Sequence, residues 1–134
     1  MNAQKLTQKS LEAVQRAQDL SIERQNMQLE QAHLLLALLT QEDGLIPQLL
    51  TKMNVDAEGF ARAAETVVNG IPHVSGPGRE AGKIYVSEDL DHALNSAEKT
   101  ADNMKDEYIS VEHLFLGLLD TADSTVKPLF SRFG

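Results

Sequence analysis

His33-Leu34-Leu35-Leu36-Ala37-Leu38-Leu39 returns later in the same chain as His113-Leu114-Phe115-Leu116-Gly117-Leu118-Leu119, at an offset of 80 residues. Carried outward without gaps, that offset aligns residues 6–54 with residues 86–134. Ala13 meets Ala93, Ala17 meets Ala97 and Leu49 meets Leu129, and conservative pairs lie between them: Thr7 with Ser87, Val14 with Leu94, Leu29 with Ile109, Ile46 with Val126. One register held over this length implies duplication of a helical unit, with two copies packed in pseudo-twofold fashion. The fold class expected is therefore all-α, a duplicated repeat of about seven helices. The two leucine-rich segments are apolar on most sides, so both helices read as core and as unsuited to face water.

The neighbouring segments supply the remaining helices. Thr7 opens the first, with small and apolar residues at Ser10, Leu11, Ala13, Val14, Ala17 and Leu20 near the helical period. Residues 25–28 read as a loop, and the second helix as about 29–40. Asp43-Gly44 ends it, and Pro47 suits the first turn of a short third helix reaching about Met53. Asp56 is the expected N-cap of a fourth, which Asn69-Gly70 and Pro72 terminate. Residues 70–86, rich in Gly and Pro, form a linker in which Ile84-Tyr85-Val86 can run extended. Ser87 caps a fifth helix reaching about Met104, with Glu88 and Asp89 favourable against its dipole. Ser110 caps a sixth at 111–119, and a seventh covers about 124–132. The organisation expected is one domain over 1–134: repeat one at 5–69, the linker, and repeat two at 87–134. By the repeat, the helix at 56–69 calls for a copy at about 136–149, so the chain reads as cut before its last helix, leaving an exposed apolar edge on the seventh.

Composition narrows function mainly by exclusion. A chain of 134 residues with 42% apolar residues can bury a core of its own. Its formal charge is −8 and its 12 basic residues are scattered, which argues against nucleic acid and anionic membranes as partners. There is no cysteine, hence no disulfide, thiolate nucleophile or cysteine metal site. No secretory signal pattern opens the chain, and the longest apolar run, Leu34 to Leu39, is too short to cross a bilayer. The reading is a soluble, cytoplasmic protein, monomeric as an isolated domain. Gly76-Pro77-Gly78-Arg79-Glu80-Ala81-Gly82-Lys83 mimics a phosphate loop but has the wrong spacing, and Ile84 stands where magnesium needs Ser or Thr. His33 and His113 occupy equivalent first-turn positions and read as satisfying local polar groups rather than holding metal. No catalytic, cofactor or metal residues are expected.

The paired His-Leu-x-Leu-x-Leu-Leu segments, each preceded by an amphipathic helix, resemble the Clp amino-terminal repeat family. Three further stretches resemble its protein-disaggregating branch: Lys5-Leu6-Thr7, Ile71-Pro72-His73-Val74-Ser75-Gly76 followed by Ile84-Tyr85-Val86-Ser87, and Asp106-Glu107-Tyr108-Ile109-Ser110-Val111-Glu112-His113-Leu114. The resemblance implies the mobile first domain of a hexameric AAA+ ATPase chaperone that works with the DnaK system, with ATP and magnesium bound by later modules and no enzyme activity here. It implies capture of exposed segments of unfolded or aggregated protein and their transfer to a central pore. The substrate-engaging positions it implies are Thr7, Asp106 and Glu112. Apolar surface beside them is expected from Leu11, Leu90, Leu94, Tyr108 and Ile109. Covering ~300 Å² of such surface is worth about 7 kcal/mol gross. Association costs of about 4–15 kcal/mol largely offset that, so binding at one copy is expected to be micromolar or weaker. The alternative reading is an adaptor-docking regulatory domain of a protease-coupled Clp ATPase.

Overall fold

The computed structural model describes residues 3–73 and 85–133. The glycine-rich stretch of the expected linker, with the phosphate-loop mimic, lies outside the described residues. A short 3-10 turn (Ala3–Lys5) leads into seven α-helices: α1 (Gln8–Glu23), α2 (Gln31–Thr40), α3 (Leu45–Lys52), α4 (Ala57–Asn69), α5 (Glu88–Asn103), α6 (Val111–Asp120) and α7 (Lys127–Phe133). Two short strands, β1 (Gln28–Leu29) and β2 (Tyr85–Val86), pair in parallel. Leu29, expected at the start of the second helix, instead closes this strand.

The duplication survives in the hydrogen bonds. Thr7 Oγ1 accepts from the Ser10 N–H, and Ser87 Oγ accepts from the Leu90 N–H, each capping the first helix of its repeat. Both of those helices end in the same Schellman turn. In one, Gln25 takes a positive φ of 53° and the Asn26 N–H reaches the Ser21 carbonyl; in the other, Lys105 takes 59° and the Asp106 N–H reaches the Ala101 carbonyl. The repeats then grip each other reciprocally. The Thr7 N–H donates to the Ile109 carbonyl at 3.1 Å, and the Ser87 N–H donates to the Leu29 carbonyl at 3.0 Å. Each bond becomes the other under the 80-residue offset, as two halves related by a pseudo-twofold require.

The core gathers around α2, whose residues 31–39 are all buried. Gln31 carries the polar part of the inter-repeat junction. Its Nε2 donates to the carbonyls of Asp89 (2.8 Å) and Thr121 (3.0 Å), and its Oε1 accepts from the Asp123 N–H (2.9 Å). The α5–α6 pair closes on a glycine: a Cβ at Gly117 would lie 2.4 Å from the Ala93 carbonyl oxygen. The equivalent residue in repeat one is Ala37.

The repeats differ in what covers them. Helix α4 packs along α2 and touches α7, and Leu36 and Leu39 on α2 are each 5% exposed. Their counterparts on α6, Leu116 and Leu119, are each 44% exposed. The expectation that the whole 114–119 segment is core is therefore corrected: among the described residues no helix lies on α6 as α4 lies on α2. The open apolar surface falls chiefly on α3 and α6, in a groove of about 320 Å³ that also takes in Phe115, Phe130 and Phe133. On α7 itself, Phe130 and Phe133 are half-buried and pack on Phe60, edge-on at 5.8 Å and stacked at 4.9 Å.

Candidate functional site: an acid-edged hollow between α5 and α6

Two of the three sequence-predicted polar residues, Asp106 and Glu112, meet at one end of the second repeat. The Schellman turn after α5 sends the chain back across that helix's C-terminus, and Ser110 then starts α6. Asp106, the last residue of this turn, and Glu112, in the first turn of α6, line one open hollow of about 380 Å³ with Tyr108, His113 and Leu116. Tyr108 is 51% exposed. Glu112 and Leu116 also line the apolar groove between α3 and α6, so the hollow and the groove adjoin at α6.

His113 ties this end together. Its Nδ1 accepts the Ser110 N–H at 2.9 Å, and its Nε2 lies 2.9 Å from Asp106 Oδ2. His33 makes the equivalent cap on the Glu30 N–H (2.9 Å) and meets Asn26 Oδ1 at 2.7 Å. Both histidines thus serve local polar groups, as read from their first-turn positions. Burial and, after it, the charge of Arg24 push the His33 ring's pKa down to about 4. Near the inter-repeat junction, burial first and then the Asp123 charge raise the Glu30 carboxyl, against a hydrogen bond from Ser87 that lowers it. Among the described residues, no group of three or more His, Cys, Asp or Glu is placed to hold a metal ion, and no helix is long and apolar enough to cross a membrane.

The remaining predicted residues divide by position. Thr7 does not line the hollow but joins its wall: its N–H bonds the Ile109 carbonyl, next in chain to Tyr108, and Ser10 Oγ donates to the same oxygen at 2.8 Å. Leu11 and Leu94 are half-buried. Leu90 and Ile109, expected as exposed apolar surface, are core residues at 2% and 1% exposure. Ile109 pairs with Leu6 in an extended bridge, and neighbours along extended chain face opposite sides, so burying Ile109 turns Tyr108 outward. Leu90 sits in the first turn of α5 and joins the central cluster. Sequence reasoning missed Met104 and Leu116, which supply apolar wall to the hollow. Leu116 reads as core with the rest of its leucine-rich segment, and its composition carries no sign that one face would be left open.

The sequence matches the Clp repeat (R) N-terminal domain family over residues 5–133. The chain belongs to that family. Among its Clp relatives, the chaperone protein ClpB of Bacillus cereus is 39% identical over 132 residues, 98% of this chain and 15% of that protein. ClpB of Nitratidesulfovibrio vulgaris is 40% identical over 132 residues, again 98% of this chain and 15% of the relative. The chain thus spans about one-seventh of the length of these ClpB chaperones. The Clp fold is also that of the Hsp104 N-terminal domain from Candida albicans, with a TM-score of 0.82 at 23% identity over 97% of this chain and 82% of that one. A ClpV N-domain in complex with a VipB peptide has a TM-score of 0.73 at 18% identity, over 98% of this chain and 80% of the other.

Proposed function

We propose that this Clp repeat domain captures exposed segments of unfolded or aggregated polypeptide at the α5–α6 hollow, for delivery to an ATP-driven unfolding machine in the rest of a ClpB-type chaperone. The observation that carries the reading is the shared position of Asp106, Glu112, Tyr108 and Leu116 on one open concavity. Hydrophobic stretches are what unfolded chains expose and folded ones hide. A hollow with an aromatic face and leucine beside three carboxylates, Asp106, Glu107 and Glu112, offers both apolar burial and acceptors for backbone N–H groups or basic side chains. That a ClpV N-domain of the same fold holds a VipB peptide supports peptide capture as a use of the architecture. The domain itself performs no bond chemistry in this reading; nucleotide, magnesium and cooperation with the DnaK system belong to the remainder of the machine.

The mechanism follows from the size of the contact. One shallow hollow holds a client weakly, since the costs of association offset most of the burial. Six copies in a hexamer raise the effective concentration of sites, so a client released by one is retaken by another. Weak individual holding also permits release into the pore. The setting for this work is the bacterial cytoplasm.

The test is the affinity of the chain for fluorescently labelled casein, measured by anisotropy. Glu112→Gln and Asp106→Ala are each expected to weaken binding about threefold or more, on the scale of losing one charge-assisted contact. Thr7→Ser, which keeps the cap, is expected to leave affinity within about twofold. Wild-type affinity in both acidic variants would remove the hollow from the mechanism.

A further inference from the structure

We propose that His113 is a positioning residue for the Asp106 carboxylate, fixing it at the rim of the hollow in the geometry that engages a client. The inference rests on the reading of Asp106 as a client contact. Its physical basis is the division of labour between the two ring nitrogens. Nδ1 accepts the Ser110 N–H, so a neutral ring carries its proton on Nε2. That N–H donates to Asp106 Oδ2 at 2.9 Å, leaving Oδ1 free for a client. The His113 side chain is 6% exposed and the Asp106 side chain 46%, so a rigid buried donor holds a half-exposed acceptor. The Asp106 backbone is already set by the Schellman turn. With the side chain also held, less freedom is lost when a client binds.

The first repeat supplies the comparison. His33 makes the same cap, and its Nε2 meets Asn26 at the position equivalent to Asp106. Asn26 is fully buried, and its Nδ2 donates to the carbonyls of Ile71 and Pro72. An amide therefore satisfies everything the cap and the turn require of this position. In the second repeat the tethered residue is instead a carboxylate, and it faces the open hollow rather than a covering segment. The ring-to-partner contact belongs to the repeat; the exposed negative charge on the end of it belongs to the site.

The experiment compares the full chain with His113→Gln, Asp106→Asn and Asp106→Ala, reading casein affinity by anisotropy and the His113 ring by 15N NMR. Gln is an ordinary partner for a serine cap at this position, so His113→Gln is expected to keep a cooperative melt while binding casein about threefold to tenfold more weakly. Asp106→Asn is expected to retain the Nε2-protonated ring signature, as an amide accepts the same bond, yet to bind as weakly as Asp106→Ala. If Asp106→Ala weakens binding and a folded His113→Gln does not, the positioning role is overturned and the site stands. If Asp106→Ala binds like wild type, the reading of Asp106 as a client contact falls and the positioning role falls with it, while Glu112→Gln decides whether the hollow stands. Should His113→Gln fail to fold, the ring decides: a wild-type His113 protonated on Nδ1 rather than Nε2 overturns the tether.

Discussion

At the scale of single residues, the fold depends on buried polar groups whose partners cannot be replaced by water. Gln31 is buried and bonds three backbone groups of the opposite repeat. Gln31→Leu removes those bonds without emptying the space, so the expected loss is about 2–3 kcal/mol, set by leaving buried backbone groups unpaired; urea denaturation measures it. Gly117→Ala would drive a methyl against the Ala93 carbonyl. Parting α5 from α6 is expected to cost about 1–3 kcal/mol, read as a lower melting temperature, whereas Ala37→Gly in the other repeat creates no such clash. His33 gives a pH dependence. Its folded pKa is lowered from 6.5 to about 4, so between those values the unfolded chain binds the extra proton, and stability falls as pH drops from 6.5 towards 4. Glu30 acts in the opposite sense, since its folded pKa is raised from 4.5 and its burial costs stability once it ionises. His33→Gln, which keeps a side chain able to serve the cap, is expected to flatten the decline while leaving the Glu30 contribution in place; denaturation midpoints of the two proteins across pH 4 to 7 separate them.

At the scale of elements, each repeat is a capped helix, a Schellman turn, an extended pair and a second capped helix. Thr7→Ala and Ser87→Ala are each expected to cost about 1 kcal/mol, the usual worth of such a cap. The Thr7, Ser87 and Ser110 caps and the helices themselves were legible because cap residues, the helical period and the 80-residue offset are written within a few turns of chain; the Schellman turns were not, since Gln25 and Lys105, standing where glycine is usual, give no sign of the positive φ they adopt. The two-residue strands were not, since a pair of residues has no periodicity to read, and Leu29 passes equally for the first turn of a helix. Nor was the burial of Leu90 and Ile109 or the exposure of Leu116 and Leu119. An apolar side chain does not say which face of its neighbour will be covered; α4 covers α2, and no described helix does the same for α6. The expected consequence is an asymmetry between equivalent leucines. Leu39→Lys buries an unpaired charge and is expected to unfold the domain or cost more than about 4 kcal/mol, while Leu119→Lys is expected to change stability by less than about 1 kcal/mol. Thermal melts of the two variants decide it.

At the scale of the whole molecule, duplication produces two similar ends and the sequence makes them different. One end is closed: Asn26 is buried beneath residues 71–72. The other presents Asp106, Tyr108 and Glu112 around an open hollow that meets an apolar groove across Leu116. Which acids share a surface is a matter of tertiary placement, and the resemblance to Clp repeats, rather than any spacing rule, marked Asp106 and Glu112 beforehand. The central claim is that unfolded chains are held at this open end. It is tested most directly by titrating the 15N-labelled chain with casein and mapping the amide shifts. The expected result is a continuous patch over residues 104–116 with smaller shifts at residues 5–10. Shifts gathered instead around Met27 and Tyr85 at the opposite end, or none at saturating casein, would contradict the account.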